Sequence, residues 1–234
     1  MVDVVGANGW LAHFPGAGPL WLSVRLAGVT TLILIVFGTP LAWWLSRTRG
    51  FWRVPVEAIV AMPIVLPPTV MGFYLLILLG PAGPLGRFWV SLTGDSLSFS
   101  FSGLVIASCA YSLPFVVQPL QNAFHSVSEA GMESAATLGA SPLDVFFSIV
   151  VPQSMRGYLT AAVMGFAHTL GEFGVVLMVG GNIPGETRVI SIAIYDHVES
   201  LNYDKAHVLS VILLVFAFLA LLLLYFVNRP RHRA

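Results

Sequence analysis

His168 and Glu172 stand four residues apart in a run, residues 157–181, whose only charged side chain is Glu172. Helical spacing of i, i+4 places both on one face. An ionisable pair in so apolar a run must face a protein interior or water. It could gate or line an ion path, relay protons, or fix one helix to another by a hydrogen bond. Metal chemistry lacks a third ligand. Hydrolysis would need a nucleophile; Ser112 belongs to a different apolar run, and no G-x-S-x-G elbow exists. Gly157, Ala161 and Gly165 precede the pair along nearly the same stripe, a small-residue ladder that lets two helices approach closely. A second chemical feature is the cluster Pro63, Pro67, Pro68 and Thr69. Three prolines within six residues forbid a regular helix. Amides freed at a break near Pro67, with the Thr69 hydroxyl, would offer transient contacts to an anion.

The segment between residues 123 and 156 carries the most specific pattern. Ser126 and Glu129 have the S-x-x-E spacing of a capping box, which predicts a short helix from near Val127. Gly139 suits the left-handed position that ends it. Ser141, Pro142 and Asp144 have the types wanted at the cap, first and third positions of a second helix. Ala130, Gly131, Ala135 and Ala136 make part of the first helix flat, with Glu133 protruding. A small, acidic helix of this kind suits the groove of another protein; membrane-surface helices are basic and bear large apolar residues.

These groups need elements to hold them, and composition says which. Hydrophobic residues make up 57% of the 234 and charged residues 9%, against about 25% charged in soluble domains. Mean hydropathy is +0.86. About 20 apolar residues cross a hydrocarbon core as helix. Five runs qualify: residues 21–45, 58–80, 99–122, 157–181 and 208–228. Arg47, Arg49 and Arg53, then Arg156, then Arg229, Arg231 and Arg233 fall on one side. Arg25, Arg87, Arg188 and Lys205 fall on the other. The positive-inside rule then puts the amino terminus outside and the carboxyl terminus in the cytoplasm, with Trp43, Trp44 and Trp52 as interfacial anchors. Arg25 reads as snorkelling outward rather than as a partner for Glu172. The outer segment 182–205 is too polar to span, though residues 189–194 are apolar; it reads as a re-entrant or surface element. Counting it as a sixth span would break the charge sorting. Residues 1–20 form an outer tail and 229–234 a basic cytoplasmic one. Net charge is zero and Lys205 is the only lysine, which excludes a nucleic-acid face and a GxxxxGK[ST] phosphate loop. Cys109, the only cysteine, allows no internal disulfide.

Glu133-Ser134-Ala135, then Gly139, then Ile149-Val150-Val151-Pro152 resembles the EAA loop of binding-protein-dependent ABC importer permeases. Ser134 and Val151 depart mildly from the family's Ala and Leu; the spacing is intact. Met62-Pro63-Ile64-Val65-Leu66-Pro67-Pro68-Thr69-Val70-Met71-Gly72-Phe73-Tyr74, Thr169-Leu170-Gly171-Glu172-Phe173-Gly174 and Gly181-Asn182-Ile183-Pro184-Gly185-Glu186-Thr187-Arg188 look like segments of molybdate permeases, with tungstate and sulfate/thiosulfate permeases as close relatives. The resemblance implies an all-α integral membrane protein of the MetI-like type I importer fold, in which residues 126–148 seat on a cytoplasmic ATPase. It implies Glu133, Ser134, Ala135, Gly139, Ile149 and Pro152 as coupling residues. The remaining partners it implies are a second copy of the chain, an ABC ATPase dimer and an extracytoplasmic oxyanion-binding protein. No cofactor is implied, and ATP hydrolysis falls to the separate subunit. Pro67, Thr69, His168 and Glu172 are the candidates for the translocation path or its gate. The competing class is a secondary transporter using His168 and Glu172 as a proton relay; the absence of internal repeats speaks against it.

Overall fold

Length decides which helices can cross a bilayer. In the computed structural model, which describes residues 17–228, three helices are long and apolar enough alone: α1 (Ala17–Arg47), α5 (Phe101–His125) and α12 (Tyr203–Asn228). Two bent helix pairs bring the crossings to five when each pair is taken as one span. Helices α2 (Arg53–Val65) and α3 (Pro68–Leu79) meet at 115°, and α9 (Met155–Gly171) and α10 (Gly174–Gly180) meet at 61°. Between these lie α4 (Pro84–Thr93), α6 (Glu129–Thr137), α7 (Pro142–Val145), a π-helical turn at Phe146–Val150, α8 (Val151–Gln153) and α11 (Ile190–Glu199). This is the five-crossing all-α architecture expected from the apolar runs. The 10 residues of α11 are too few to make a sixth.

The first break follows from proline chemistry. Leu66 and Pro67 are extended, with ψ of 136° and 137°, because a residue before proline is pushed out of the helical region. Pro68 then starts α3, where its missing N–H costs nothing. Pro63, Pro114 and Pro119 lie inside helices instead, as packing positions. The second break was expected as unbroken helix, and the sequence carries no proline there. Helix α9 stops at Gly171; Glu172 is extended (ψ 138°) and Phe173 lies outside the helical region.

Helices α1, α5 and α9 form the central layer. Phe124, Leu120, Val116, Val117, Leu45 and Val150 are completely buried where they meet. The small-residue ladder faces α5: a Cβ on Gly165 would come within 2.5 Å of Val116 Cγ2, and one on Gly157 would overlap Ala123 Cβ. Trp43, expected as an interfacial anchor, instead packs edge-on against Phe124 and Phe146 at 5.5 and 5.3 Å; Trp52 is exposed as expected. At the other end α11 packs against α1 and α12, its first amide donating to Ser23 Oγ at 2.7 Å. Arg25 lies over the Phe101 ring at 4.5 Å, not against Glu172. Helix α4 was not anticipated. Pro84 at its start, Leu85, Phe88, Trp89 and Leu92 at helical spacing, and Gly94 at φ +80° past its end were the readable signals. Expectations for residues 1–16 and for Arg229, Arg231 and Arg233 lie outside the described residues.

Gly157→Ala is expected to lower the midpoint of thermal unfolding in detergent, because the added methyl group meets the α5 backbone layer; overpacking of this kind costs about 1–3 kcal/mol. Gly28→Ala, where the space is open, is expected to leave the midpoint unchanged or raise it slightly.

Candidate functional site

Two sites take shape, one at the end of the bundle and one along its length. The first is the segment from α6 to α8. Its opening differs from the sequence reading. Helix α5 runs on to His125, so Ser126 is spent in its last turn, where its hydroxyl donates to Ala123 O at 2.7 Å. Val127 plugs the core, and α6 begins at Glu129 behind Ser128, with no side-chain cap. Glu129 reaches Arg47 instead, at 3.5 Å. The rest follows the expectation. Gly139 has φ +88°. Its amide donates to Ala136 O at 3.0 Å and that of Ala140 to Ala135 O at 3.1 Å, a Schellman closure. Ser141 and Asp144 form a reciprocal capping box: Asp144 N donates to Ser141 Oγ, and Ser141 N to Asp144 Oδ2, both at 3.2 Å. The Ser141 hydroxyl, which also donates to Asp144 Oδ2 at 2.6 Å, and then the Ser141 amide hold the Asp144 carboxyl below its ordinary range.

Pro152 explains the π turn. Its ring cannot sit over the carbonyl four residues back in a regular helix. The chain widens just ahead of it, and the Val151 amide donates to Phe146 O, five residues earlier. Of the coupling candidates, Glu133, Ser134, Gly139 and Pro152 are exposed, while Ala135 and Ile149 are half-buried. The sequence reading missed the apolar residues beside them: Leu138, Leu143 and Phe147 are 88%, 70% and 64% exposed. Large apolar side chains exposed among capped short helices are of the kind that another protein covers.

Arg47 ties this segment to the membrane layer. Its guanidinium donates to Phe124 O at 3.1 Å, contacts Met132 Sδ at 3.6 Å, pairs with Glu129 and lies over the Trp43 ring at 4.7 Å. It thereby caps the carbonyl end of α5 and pins α6 beneath it. Read from sequence, Arg47 was only one more cation on the basic side.

The second site lies where the two breaks meet. Pro68 abuts Gly174, where a Cβ would come within 2.6 Å, and Gly72 abuts Met178 at 2.7 Å, so α3 and α10 cross with no room for side chains. Beside that crossing is a cavity of about 600 Å³ lined by Thr69, Tyr111, His168, Glu172 and Phe173, among others. Pro68, not the expected Pro67, lines it; Pro67 frames the break from outside. Glu172 is 6% exposed. Its carboxyl is buried beside the Ser108 hydroxyl and the Val175 and Val176 amides at the start of α10. The Glu172 carbonyl, freed by the break, accepts from the Ser191 hydroxyl of α11.

His168 does not pair with Glu172. Its Nδ1 lies 2.9 Å from Ser112 Oγ, which is 2.9 Å from Thr169 Oγ1, which donates to Gly165 O at 2.9 Å. Each hydroxyl has one proton. Thr169 spends its own on Gly165, so Ser112 donates to Thr169 and accepts from His168 Nδ1–H. The imidazole, stacked on Phe115 at 3.8 Å, thus fixes α9 to α5. Although Ser112 and His168 do meet, Ser112 is completely buried with its proton committed, so no nucleophile is presented.

A further cavity of about 680 Å³ continues along the same helices towards the α6 end. Down α5 the lining passes from Tyr111 to Phe115, Gln118 and Asn122; along α9 it passes from His168 to Met164, Thr160 and Arg156. The two cavities follow one another along this track of side chains without sharing a lining residue, Phe115 of the inner one being stacked on His168 of the other.

The family model for "binding-protein-dependent transport system inner membrane component" matches residues 34–230. The chain is 55% identical over 204 residues to the molybdenum transport system permease protein ModB of Azotobacter vinelandii, covering 87% of this chain and 90% of that one. It is 33% identical to the Escherichia coli K12 protein of the same description, covering 91% and 94%. Its fold matches a chain of a bacterial alginate ABC transporter solved in complex with a pentasaccharide-bound periplasmic protein, with TM-score 0.73 at 18% identity, covering 94% and 81%.

Arg47→Ala is expected to speed amide hydrogen exchange in α6 about tenfold while α1 and α9 keep their protection, the loss of a charge-assisted bond to a carbonyl being worth about 1.5 kcal/mol or more. The capping box carries its own pH signature. The folded carboxyl of Asp144 sits below its unfolded value of 3.8, so its support of α7 is complete above that value and disappears as pH falls through the lower folded one. Exchange protection at Asp144 and Val145 should drop there, and Asp144→Asn should flatten that dependence.

Proposed function

We propose a function on one premise: this chain belongs to the family of binding-protein-dependent transport system inner membrane components. It is the multi-pass permease subunit of an ATP-driven importer, and its cargo is a tetrahedral oxyanion, molybdate first. The observation that carries this reading is the α6–α8 segment: exposed, capped at both turns, bearing an apolar patch and clamped by Arg47 at the basic end of the bundle. That end faces the cytoplasm by the positive-inside rule, which leaves the amino terminus outside. Glu133, Ser134, Ala135 and Gly139 form the seat for a cytoplasmic ATPase, and Ile149 and Pro152 join it to α9.

The energy must come from such a partner. Moving a divalent anion inward against 100 mV costs about 4.6 kcal/mol, and the chain has no phosphate loop of its own. Two copies enclose the path, each contributing the track from Thr69, His168 and Glu172 to Arg156. Binding of ATP closes the ATPases and opens the path outward to a loaded oxyanion-binding protein; hydrolysis resets it. Molybdate is favoured over sulfate by the high identity to the Azotobacter permease and by the Gly181–Arg188 and Thr169–Gly174 segments. A proton relay is disfavoured because His168 spends its Nδ1 proton on Ser112 and makes no contact with Glu172.

Co-expressed with its ATPase and reconstituted in vesicles, the complex should accumulate radiolabelled molybdate only with ATP and the binding protein, with excess sulfate competing weakly. Gly139→Val and Glu133→Ala should each reduce uptake at least tenfold while the permease still inserts. Uptake driven by a pH gradient without ATP, or failure to assemble with any ATPase, would overturn the reading.

A further inference from the structure

We propose that the inner cavity is a low-affinity release station for the transported oxyanion, with Arg156 as its cation and Gln118, Asn122 and Gln153 as neutral donors. The inference deepens the proposed function and rests on it.

The charges along the track are arranged asymmetrically. The cavity at the helix breaks contains Glu172 and no cation; the inner one contains Arg156 and no carboxylate. Among the described residues Arg156 has no ion-pair partner; Arg25, Arg49 and Arg87 share that, but Arg156 is the one that lines the inner cavity. The amide groups of Gln118, Asn122 and Gln153 likewise engage no other described residue, whereas Ser112, Gln121, His168 and Thr169 on the same two helices are paired. The Ser154 hydroxyl, buried at the cavity wall, also lacks a partner. The wall itself is braced. Asn228 Nδ2 of α12 donates to Thr160 Oγ1 at 2.9 Å, and that hydroxyl donates to the Arg156 carbonyl at 2.9 Å.

A tetrahedral oxyanion only accepts hydrogen bonds. Primary amides supply two donors each, a guanidinium five in a planar fork. One cation among neutral donors attracts such an ion without trapping it, and passage requires sites weak enough to empty. The breaks cavity supplies no cation to compete with Arg156, so the favourable place lies inward. The station also adjoins the coupling segment, since Gln153 of α8 lines the cavity together with Ser126 and Ser154, which flank the segment. Closure of the coupling segment therefore bears on the station.

An anionic lipid headgroup offers the same oxyanion chemistry, and the test separates the two. A Ser126→Cys reporter in a Cys109→Ser background, assembled with the ATPase in phosphatidylcholine nanodiscs, is labelled with anionic and with cationic methanethiosulfonate reagents. The anionic reagent is expected to react faster, and the anionic-to-cationic ratio to fall about fivefold or more in Arg156→Gln and to recover in Arg156→Lys. Millimolar tungstate should slow labelling in the parent and not in Arg156→Gln. In vesicles, Arg156→Gln should reduce the maximal uptake rate about tenfold with the half-saturating molybdate concentration unchanged. A ratio indifferent to Arg156, or protection by phosphatidylglycerol but not by tungstate, overturns the station. Should the unmodified transporter show no ATP-driven oxyanion uptake while tungstate still protects the reporter, the function assigned above fails and the anion site stands.

Discussion

Everything in this molecule depends on how two interrupted helices satisfy each other inside a medium without water. A backbone group freed in hydrocarbon costs several kcal/mol unless protein or a wet cavity receives it. The breaks at Leu66–Pro67 and Glu172–Phe173 are placed so that each is the other's shelter. Pro68 fits against Gly174 and Met178 against Gly72, at distances where any larger residue would collide. The carbonyl released at Glu172 is taken by Ser191. The two glycines are therefore demanded by close approach, and the half-helices α3 and α10 are held by packing where continuous hydrogen bonding is lost.

The same economy explains why the ionisable groups lie where they do. Glu172 is buried because it occupies the corner of the break. His168, one turn earlier, is drawn into the α5 interface by Ser112 and Phe115. Shared stripe and shared function are thus different things here. Spacing of i, i+4 placed the two residues on one face of α9, but the face curves from a packed interface to a cavity within that single turn.

Legibility in the sequence tracked how local each feature is. The five apolar runs, the Gly139 turn and the Ser141–Asp144 cap are decided by residues within a few positions, and all stand in the structure. Pro67 and Pro68 announced the first break for the same reason. The second break has no local breaker except glycine; it is imposed by the fit of Gly174 on Pro68, which lies about a hundred residues away and leaves no periodic trace. Ser126 misled because the capping pattern is also compatible with the last turn of a longer helix, and α5 won that residue by burying Phe124 and Val127. Arg47 was invisible as a clamp because its partners, Phe124, Glu129 and Met132, come from elements more than seventy positions further on. Leu138, Leu143 and Phe147 could have been found: large apolar residues in a capped, polar connection have no membrane to enter.

Helix α9 then acquires a mechanical meaning. It begins after the short α8 that follows the π turn and ends at the break, a rod of 17 residues, or about 25 Å. At one end the clamp of Arg47 and the core around Phe124 and Phe146 seat the α6–α8 segment; at the other, Ser191 and Gly174 seat the corner of the break. Along its middle the Gly157–Gly165 face lies too close to α5 to tilt freely, but it is smooth, with small residues against Val116 and Ala123. A surface of that shape resists separation more than sliding. The rod thus connects the exposed short helices at one end to the corner at Glu172 at the other, where the carboxyl lies among the Ser108 hydroxyl and the first amides of α10.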